Sequence, residues 1–108
     1  MRIAVATDGE GSDRPVDERF GRCAMFAVYD VETRETRFIE NEGKDASSGA
    51  GVKAAQQLID LGVDVLVTGK VGPSAQEILD EAGIRVEAWT KGTVGEAIEL
   101  FGKTADRQ

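Results

Sequence analysis

Between Thr7 and Cys23 the chain gathers three glycines, a proline, three arginines, five carboxylates and its only cysteine. Each of these residue types brings a different chemistry. Cys23 is the one soft group: a thiolate there could touch a metal–sulfur species or serve as a redox centre. It could equally be a small buried residue at the start of a strand. Arg14, Arg19 and Arg22 can donate charge-assisted hydrogen bonds to an anion. Asp8 follows an apolar run and could hold a divalent metal, although Asp8-Gly9 is also a turn signal. A two-metal hydrolase needs several converging carboxylates, and the expected topology brings no later carboxylate clearly to Asp8. The chain has no histidine, which removes the commonest metal ligand and the usual general base near neutral pH. It also excludes Ser-His and Cys-His nucleophile pairs within this chain. One cysteine cannot supply the full ligand set of an ordinary iron–sulfur cluster. A cluster bound here would arrive preassembled and be held by hydrogen bonds and charge, or be shared with a second subunit.

Two further glycine-rich turns could complete a site. Gly49-Ala50-Gly51 closes the polar stretch 41–51, and Gly69-Lys70-Val71-Gly72 precedes Pro73. Neither has the spacing of a phosphate-binding loop or a dinucleotide fingerprint. Both read as entries to helices, whose first N–H groups and dipole favour anions. A polar, glycine-rich stretch such as 7–23 must lie on the surface. It is expected to be mobile without a ligand, pinned only by Val16 and Phe20.

The elements that must carry these turns follow from periodicity. Residues 2–7 form a buried strand. Residues 24–30 and 34–40 form a hairpin around the turn Asp30-Val31-Glu32-Thr33. A helix follows residue 51, with Val52, Ala55, Leu58 and Ile59 facing the core, and Gly62 ends it. Residues 63–68 form another buried strand. Pro73 opens a helix carrying Ala75, Ile78, Leu79 and Ala82, which Gly83 ends. Residues 84–89 alternate as an edge strand that ends in Trp89. Thr93-Val94-Gly95-Glu96 resembles a capping box, and the last helix carries Val94, Ala97, Ile98 and Phe101 up to Gly102. The order β-β-β-α-β-α-β-α, with right-handed crossovers, predicts an α/β fold. Its three α/β/α layers hold a five-stranded mixed sheet, order 3-2-1-4-5 with strand two antiparallel, as in ribonuclease-H-like folds. The C-terminal ends of strands one, three, four and five then share one side of the sheet. They collect the three glycine-rich turns, Lys70, the arginines, the thiol and the turn at Trp89 around one cleft, beside the switch point at strand one.

Composition bounds the rest. The chain has 108 residues, which suits one domain, expected over 1–103 with a frayed tail at 104–108. Its net charge of −7 argues against non-specific nucleic-acid binding. No apolar stretch is long enough to span a membrane, and the first apolar run is too short for a signal peptide. A single cysteine forbids an internal disulfide and fits a reducing, cytoplasmic setting.

Several segments together resemble one family. They are Ile3-Ala4-Val5-Ala6-Thr7-Asp8-Gly9, Val16-Asp17-Glu18-Arg19-Phe20-Gly21-Arg22-Cys23, Phe26, Asn41, Gly49-Ala50-Gly51 and Thr68-Gly69-Lys70-Val71-Gly72-Pro73-Ser74-Ala75. Over essentially the whole chain they resemble the dinitrogenase iron–molybdenum cofactor biosynthesis family, which includes NifX and the C-terminal part of NifB. The resemblance implies a ribonuclease-H-like domain that carries a preformed anionic metal–sulfur cluster without catalysing hydrolysis. The cargo it implies is the iron–molybdenum cofactor, its precursor or a related molybdenum or iron–sulfur species; some members hold a molybdenum–copper–sulfide cluster without covalent attachment. Carried onto this sequence, the cluster site is Arg19, Phe20, Gly21, Arg22, Cys23, Gly49, Gly51, Gly69, Lys70 and Gly72, with Cys23 as the metal contact. Cofactor-binding members commonly have histidine immediately before Phe-Gly, where this chain has Arg19. Arginine can donate to a sulfide or carboxylate but cannot coordinate a metal. The implied partners are cluster donor and acceptor proteins, with no nucleic acid or membrane, and the chain is expected as a monomer or weak homodimer. The rivals are a cofactor-free interaction module and a metal-dependent nuclease or phosphohydrolase built on Asp8.

Overall fold

The computed structural model describes the backbone of residues 1–106. The elements are β1 (Arg2–Thr7), β2 (Met25–Asp30), β3 (Glu35–Glu40), α1 (Ala50–Asp60), β4 (Val65–Thr68), α2 (Pro73–Glu81), β5 (Arg85–Ala88) and α3 (Val94–Asp106). The five strands form one sheet in the order β3-β2-β1-β4-β5. β2 runs antiparallel to both neighbours, while β4 and β5 run parallel to β1. The expected mixed sheet of this order, with its three helices, is the one observed.

β1 shows why three layers form. It is buried along its length apart from Arg2, and successive side chains point to opposite faces of the sheet. Ala4 and Ala6 join Phe26, Val28 and Leu66 on the face covered by α1 and α2 through Ala54, Ala55, Leu58, Ala75 and Leu79. Ile3 and Val5 join Ala27, Val65 and Val67 on the face covered by α3 through Val94 and Ala97. The small alanines of β1 face the layer that holds two helices side by side.

Two helix boundaries differ from the sequence reading, and β2 to β5 are each one or two residues shorter than the segments expected for them. α1 begins at Ala50, not after Gly51, because Gly49 turns the chain in the left-handed region at φ 69°. Gly51 sits within the helix, where a Cβ would come 3.2 Å from that of Ala75. Gly102 does not end α3, which continues to Asp106. A glycine stop needs the left-handed conformation, which Gly62 and Gly83 adopt and Gly102 does not. Part of the expected tail is therefore helix, and Arg107 and Gln108 lie outside the described residues. Among the described residues no helix is long and apolar enough to cross a membrane.

Candidate functional site

The segment between β1 and β2 is stitched to the sheet's C-terminal edge. The Asp17 N–H donates to the Ala6 carbonyl (2.8 Å), Phe20 to Lys70 (3.3 Å), Lys70 to Glu18 (2.7 Å) and Val16 to Gly92 (3.0 Å). The buried hydroxyls of Thr7 and Thr68 donate to the Pro15 and Asp17 carbonyls. Asp8 accepts from Arg14 Nε at 2.9 Å, and this guanidinium holds the Asp8 carboxyl below the usual carboxylate range. The expectation of a loop pinned only by Val16 and Phe20 is thus corrected: backbone pairing with β1, β4 and the turn before α3 adds to those two apolar anchors. The signal was present in the threonines that end β1 and β4, whose buried hydroxyls need partners.

Pairing at such short range depends on two glycines. A Cβ on Gly69 would lie 2.5 Å from the Glu18 carbonyl oxygen, and one on Gly21 would lie 2.9 Å from the Gly51 nitrogen. Neither neighbour is a movable side-chain tip, so both positions need a bare backbone. The Phe20–Arg22 turn is thereby brought against the first turn of α1.

Two adjoining hollows result. One, of about 500 Å³, is lined by Glu18, Arg19, Phe20, Gly21, Arg22, Gly69, Lys70 and Thr90. The other, of about 380 Å³, shares the Phe20–Arg22 segment and reaches Gly49, Gly51, Gly72 and Ser74. Nine of the ten expected site residues line one or other of these two adjoining hollows, which together make up the cleft region. Glu18, Thr90 and Ser74 line it as well, though no residue-type argument singled them out.

The cleft is rich in donors. α1 and α2 both begin here, neither has a side-chain N-cap, and neither has an acidic residue in its first turn. Open helix N-termini present unpaired N–H groups and a partial positive charge. Among the described residues no ion pair involves Lys70 or Arg22, and Arg19 Nε stands 3.6 Å from Asp17 Oδ1. Arg22 does not point freely at a ligand, since its Nη1 donates to the Lys44 and Ala46 carbonyls at 3.2 and 2.6 Å. It fastens the 41–49 segment to the cleft wall.

Cys23 is the residue that the structure puts elsewhere. It is wholly buried and lines neither hollow. Its thiol donates to the Phe20 carbonyl at 3.3 Å. Burial, reinforced by the negative charge of Asp17, pushes its pKa up to about 12. A thiol so held stays protonated and is a poor metal ligand. The expectation that Cys23 supplies a soft contact in the cleft is corrected: it packs beneath the loop with Phe20 and Phe26. Among the described residues no three of Cys, Asp and Glu gather as a metal-ligand set, and Asp8 is engaged with Arg14. The cleft can accept an anion through N–H groups and cations, and it has no exposed soft ligand.

Known proteins share this fold. The family model described as dinitrogenase iron-molybdenum cofactor matches residues 1–104. The structure is similar to the apo form of the orange protein from Desulfovibrio gigas, with a TM-score of 0.89 and 43% identity over 95% of this chain and 88% of that one. It is also similar to the NMR structure of a Thermotoga protein assigned to NifB, with a TM-score of 0.81 and 37% identity over 94% and 87% of the two chains. The FeMo cofactor biosynthesis protein NifB of Sinorhizobium fredii is 32% identical over 95 residues. That match takes in 79% of this chain but only 18% of the longer protein.

Proposed function

This chain belongs to the dinitrogenase iron-molybdenum cofactor family, and from that premise we propose that it is a non-catalytic carrier for a preformed, anionic metal–sulfur cluster. One observation supports the reading above the others: α1 and α2 both open without caps into one glycine-lined hollow, and Lys70 and Arg19 line the hollow that adjoins it across Phe20–Arg22. An uncapped N-terminus leaves donors without partners, and two of them facing one hollow suit an anion with acceptors on several sides. The similar protein of Desulfovibrio gigas was solved in an apo form, which accords with a removable cargo.

In this reading the cluster is cargo and its metals keep their own sulfides. Lys70 and Arg19 offset its charge, and the first N–H groups of α1 and α2 donate to its surface. Phe20 and the glycine backbone give an apolar, close-fitting wall. No protein thiolate is required, and Arg19, at the position where the family resemblance implies a common histidine, donates and does not ligate. Such a carrier receives the cluster from one protein and passes it to another in the reducing cytoplasm.

Anaerobic reconstitution tests this directly. The protein is mixed separately with isolated iron–molybdenum cofactor, its iron–sulfur precursor, and a thiomolybdate–copper mixture. Each sample is desalted and assayed for metal and visible absorption. Stoichiometric retention of one species, reduced in Arg19→Ala and Lys70→Ala, supports the carrier and names the cargo. No retention of any of the three overturns it in favour of a cofactor-free interaction module.

A further inference from the structure

Asn41 is the largest polar side chain among the fully buried ones, at 1% exposure, and its bonds converge on one short segment. Its Nδ2 lies 3.4 Å from the Phe20 carbonyl oxygen, 3.1 Å from that of Gly21 and 2.9 Å from that of Cys23. Its Oδ1 accepts the Gly43 N–H at 2.9 Å. The Cys23 thiol donates to the same Phe20 carbonyl. Every peptide bond in the described chain is trans, so the N–H of each peptide points opposite to its C=O. Turning the Phe20 and Gly21 carbonyls inward therefore turns the Gly21 and Arg22 N–H groups outward. Neither of those N–H groups donates to another described backbone group, and both residues line both hollows of the cleft.

We infer that Asn41 and Cys23 are positioning residues: they hold the Phe20 and Gly21 carbonyls inward so that the Gly21 and Arg22 N–H groups face the anionic cargo. This inference rests on the carrier reading above. A buried amide among apolar side chains is retained only where its hydrogen bonds are made. An apolar residue at position 41 would leave these carbonyls to seek other partners. Carbonyls turned toward the cleft would present lone pairs to an anion, reversing the sign of the local dipoles. The only cysteine then acts as a hydrogen-bond donor behind the site, and serine can replace it in that role.

The test uses tetrathiomolybdate as probe, in anaerobic absorption titrations, together with amide exchange and chemical shifts of the ¹⁵N-labelled protein. In the probe-free protein the Gly21 and Arg22 amides exchange without protection, while the Phe20 amide, bonded to Lys70, is protected. On probe binding both amides shift and gain protection. Cys23→Ser keeps the affinity within about twofold, whereas Cys23→Ala, lacking the donor, weakens it about fivefold, as the loss of one hydrogen bond predicts. Asn41→Asp replaces donors with lone pairs and abolishes the Gly21 and Arg22 responses while those of Gly51 and Val52 persist. Should Asn41→Asp fail to fold, the serine–alanine pair decides alone. Equal losses in Cys23→Ser and Cys23→Ala would mean that sulfur itself binds the probe, which overturns the inference. Protected Gly21 and Arg22 amides in the probe-free protein overturn it as well. A wild-type protein that takes up no probe counts against the carrier reading, and exchange at Gly21 and Arg22 then judges the inward carbonyls separately.

Discussion

The three helices begin at the same edge of the sheet, and their first turns are finished differently. At α3 every early donor has an acceptor. The Thr93 and Glu96 side chains bond reciprocally to each other's backbone N–H at 3.2 and 3.0 Å. Val94 donates to the Arg14 carbonyl and Gly95 to that of Ser12. At α1 and α2 there is no side-chain cap and no acidic residue. One chain thus contains both a complete capping box and two bare helix ends. Its helices can be capped, so the bare ends are a property of α1 and α2 and not of the chain as a whole. The same loop makes the distinction: its 12–14 segment closes α3, while its 20–22 segment lines the open ends without filling them.

The largest way to break this arrangement is to force the loop off the sheet edge. Gly69→Ala places a Cβ 2.5 Å from the Glu18 carbonyl oxygen. Overpacking against backbone costs on the order of 1–3 kcal/mol or more. Thermal unfolding of the variant should fall by many degrees, and cluster retention should be lost even in the folded fraction. A variant with unchanged melting temperature would show that the loop does not dock as described.

Alkali separates the dry layer beneath the loop from the wet cleft above it. The Cys23 pKa is raised from 9.0 to about 12 in the folded protein. Its contribution is complete below about pH 9, where the thiol is protonated in both states. As pH rises beyond that, the unfolded chain releases the proton while the folded chain retains it, so stability falls until the folded group titrates near pH 12. The loss reaches a few kcal/mol. Denaturant midpoints of wild type and Cys23→Ser should therefore diverge between pH 9 and 12, the serine variant losing less. Parallel curves would mean that the thiol is not held dry.

The contrast between open and closed ends can also be sharpened by closing one. Gly72 precedes α2 with extended backbone, φ −67° and ψ 160°, and a Cβ there meets nothing within 4 Å. Gly72→Asp supplies a fitting N-cap whose carboxylate takes one of the free donors. Stability should hold or rise by a few tenths of a kcal/mol. Affinity for an anionic cluster should fall about tenfold through the lost donor and the added charge. Undiminished retention would remove α2 from the site.

Much of this is legible in the sequence. Alternating and continuous apolar runs mark the strands, the short hairpin connection and right-handed crossovers lead to their order, and Thr93-Val94-Gly95-Glu96 announces its capping box. The polar, glycine-rich turns placed nine of the ten expected residues on the cleft. Cys23 was not legible, because residue type alone does not distinguish a reactive thiol from a packed one; that depends on Phe20, Phe26 and Asn41 meeting around it. The docked loop was legible only through Thr7 and Thr68, whose hydroxyls bond to it. Its polarity suggested mobility, whereas its hydrogen bonds run mainly through backbone groups that every sequence contains.

The smallest expected effect is the control for all the others. Thr93→Ala together with Glu96→Ala removes both halves of the α3 box. Loss of an N-cap of this kind costs about 1 kcal/mol, or about 4–8 °C in melting temperature for a domain near this size. The backbone bonds from Val94 and Gly95 into the 12–14 segment remain, so the loop should stay docked and cluster affinity should not change. If stability and affinity fell together, the closed end would be coupled to the cleft, and the loop would act as a single lever across the sheet edge. If stability alone falls, sealing α3 is structural, and the lack of seals at α1 and α2 stands as the feature that separates binding from folding in this molecule.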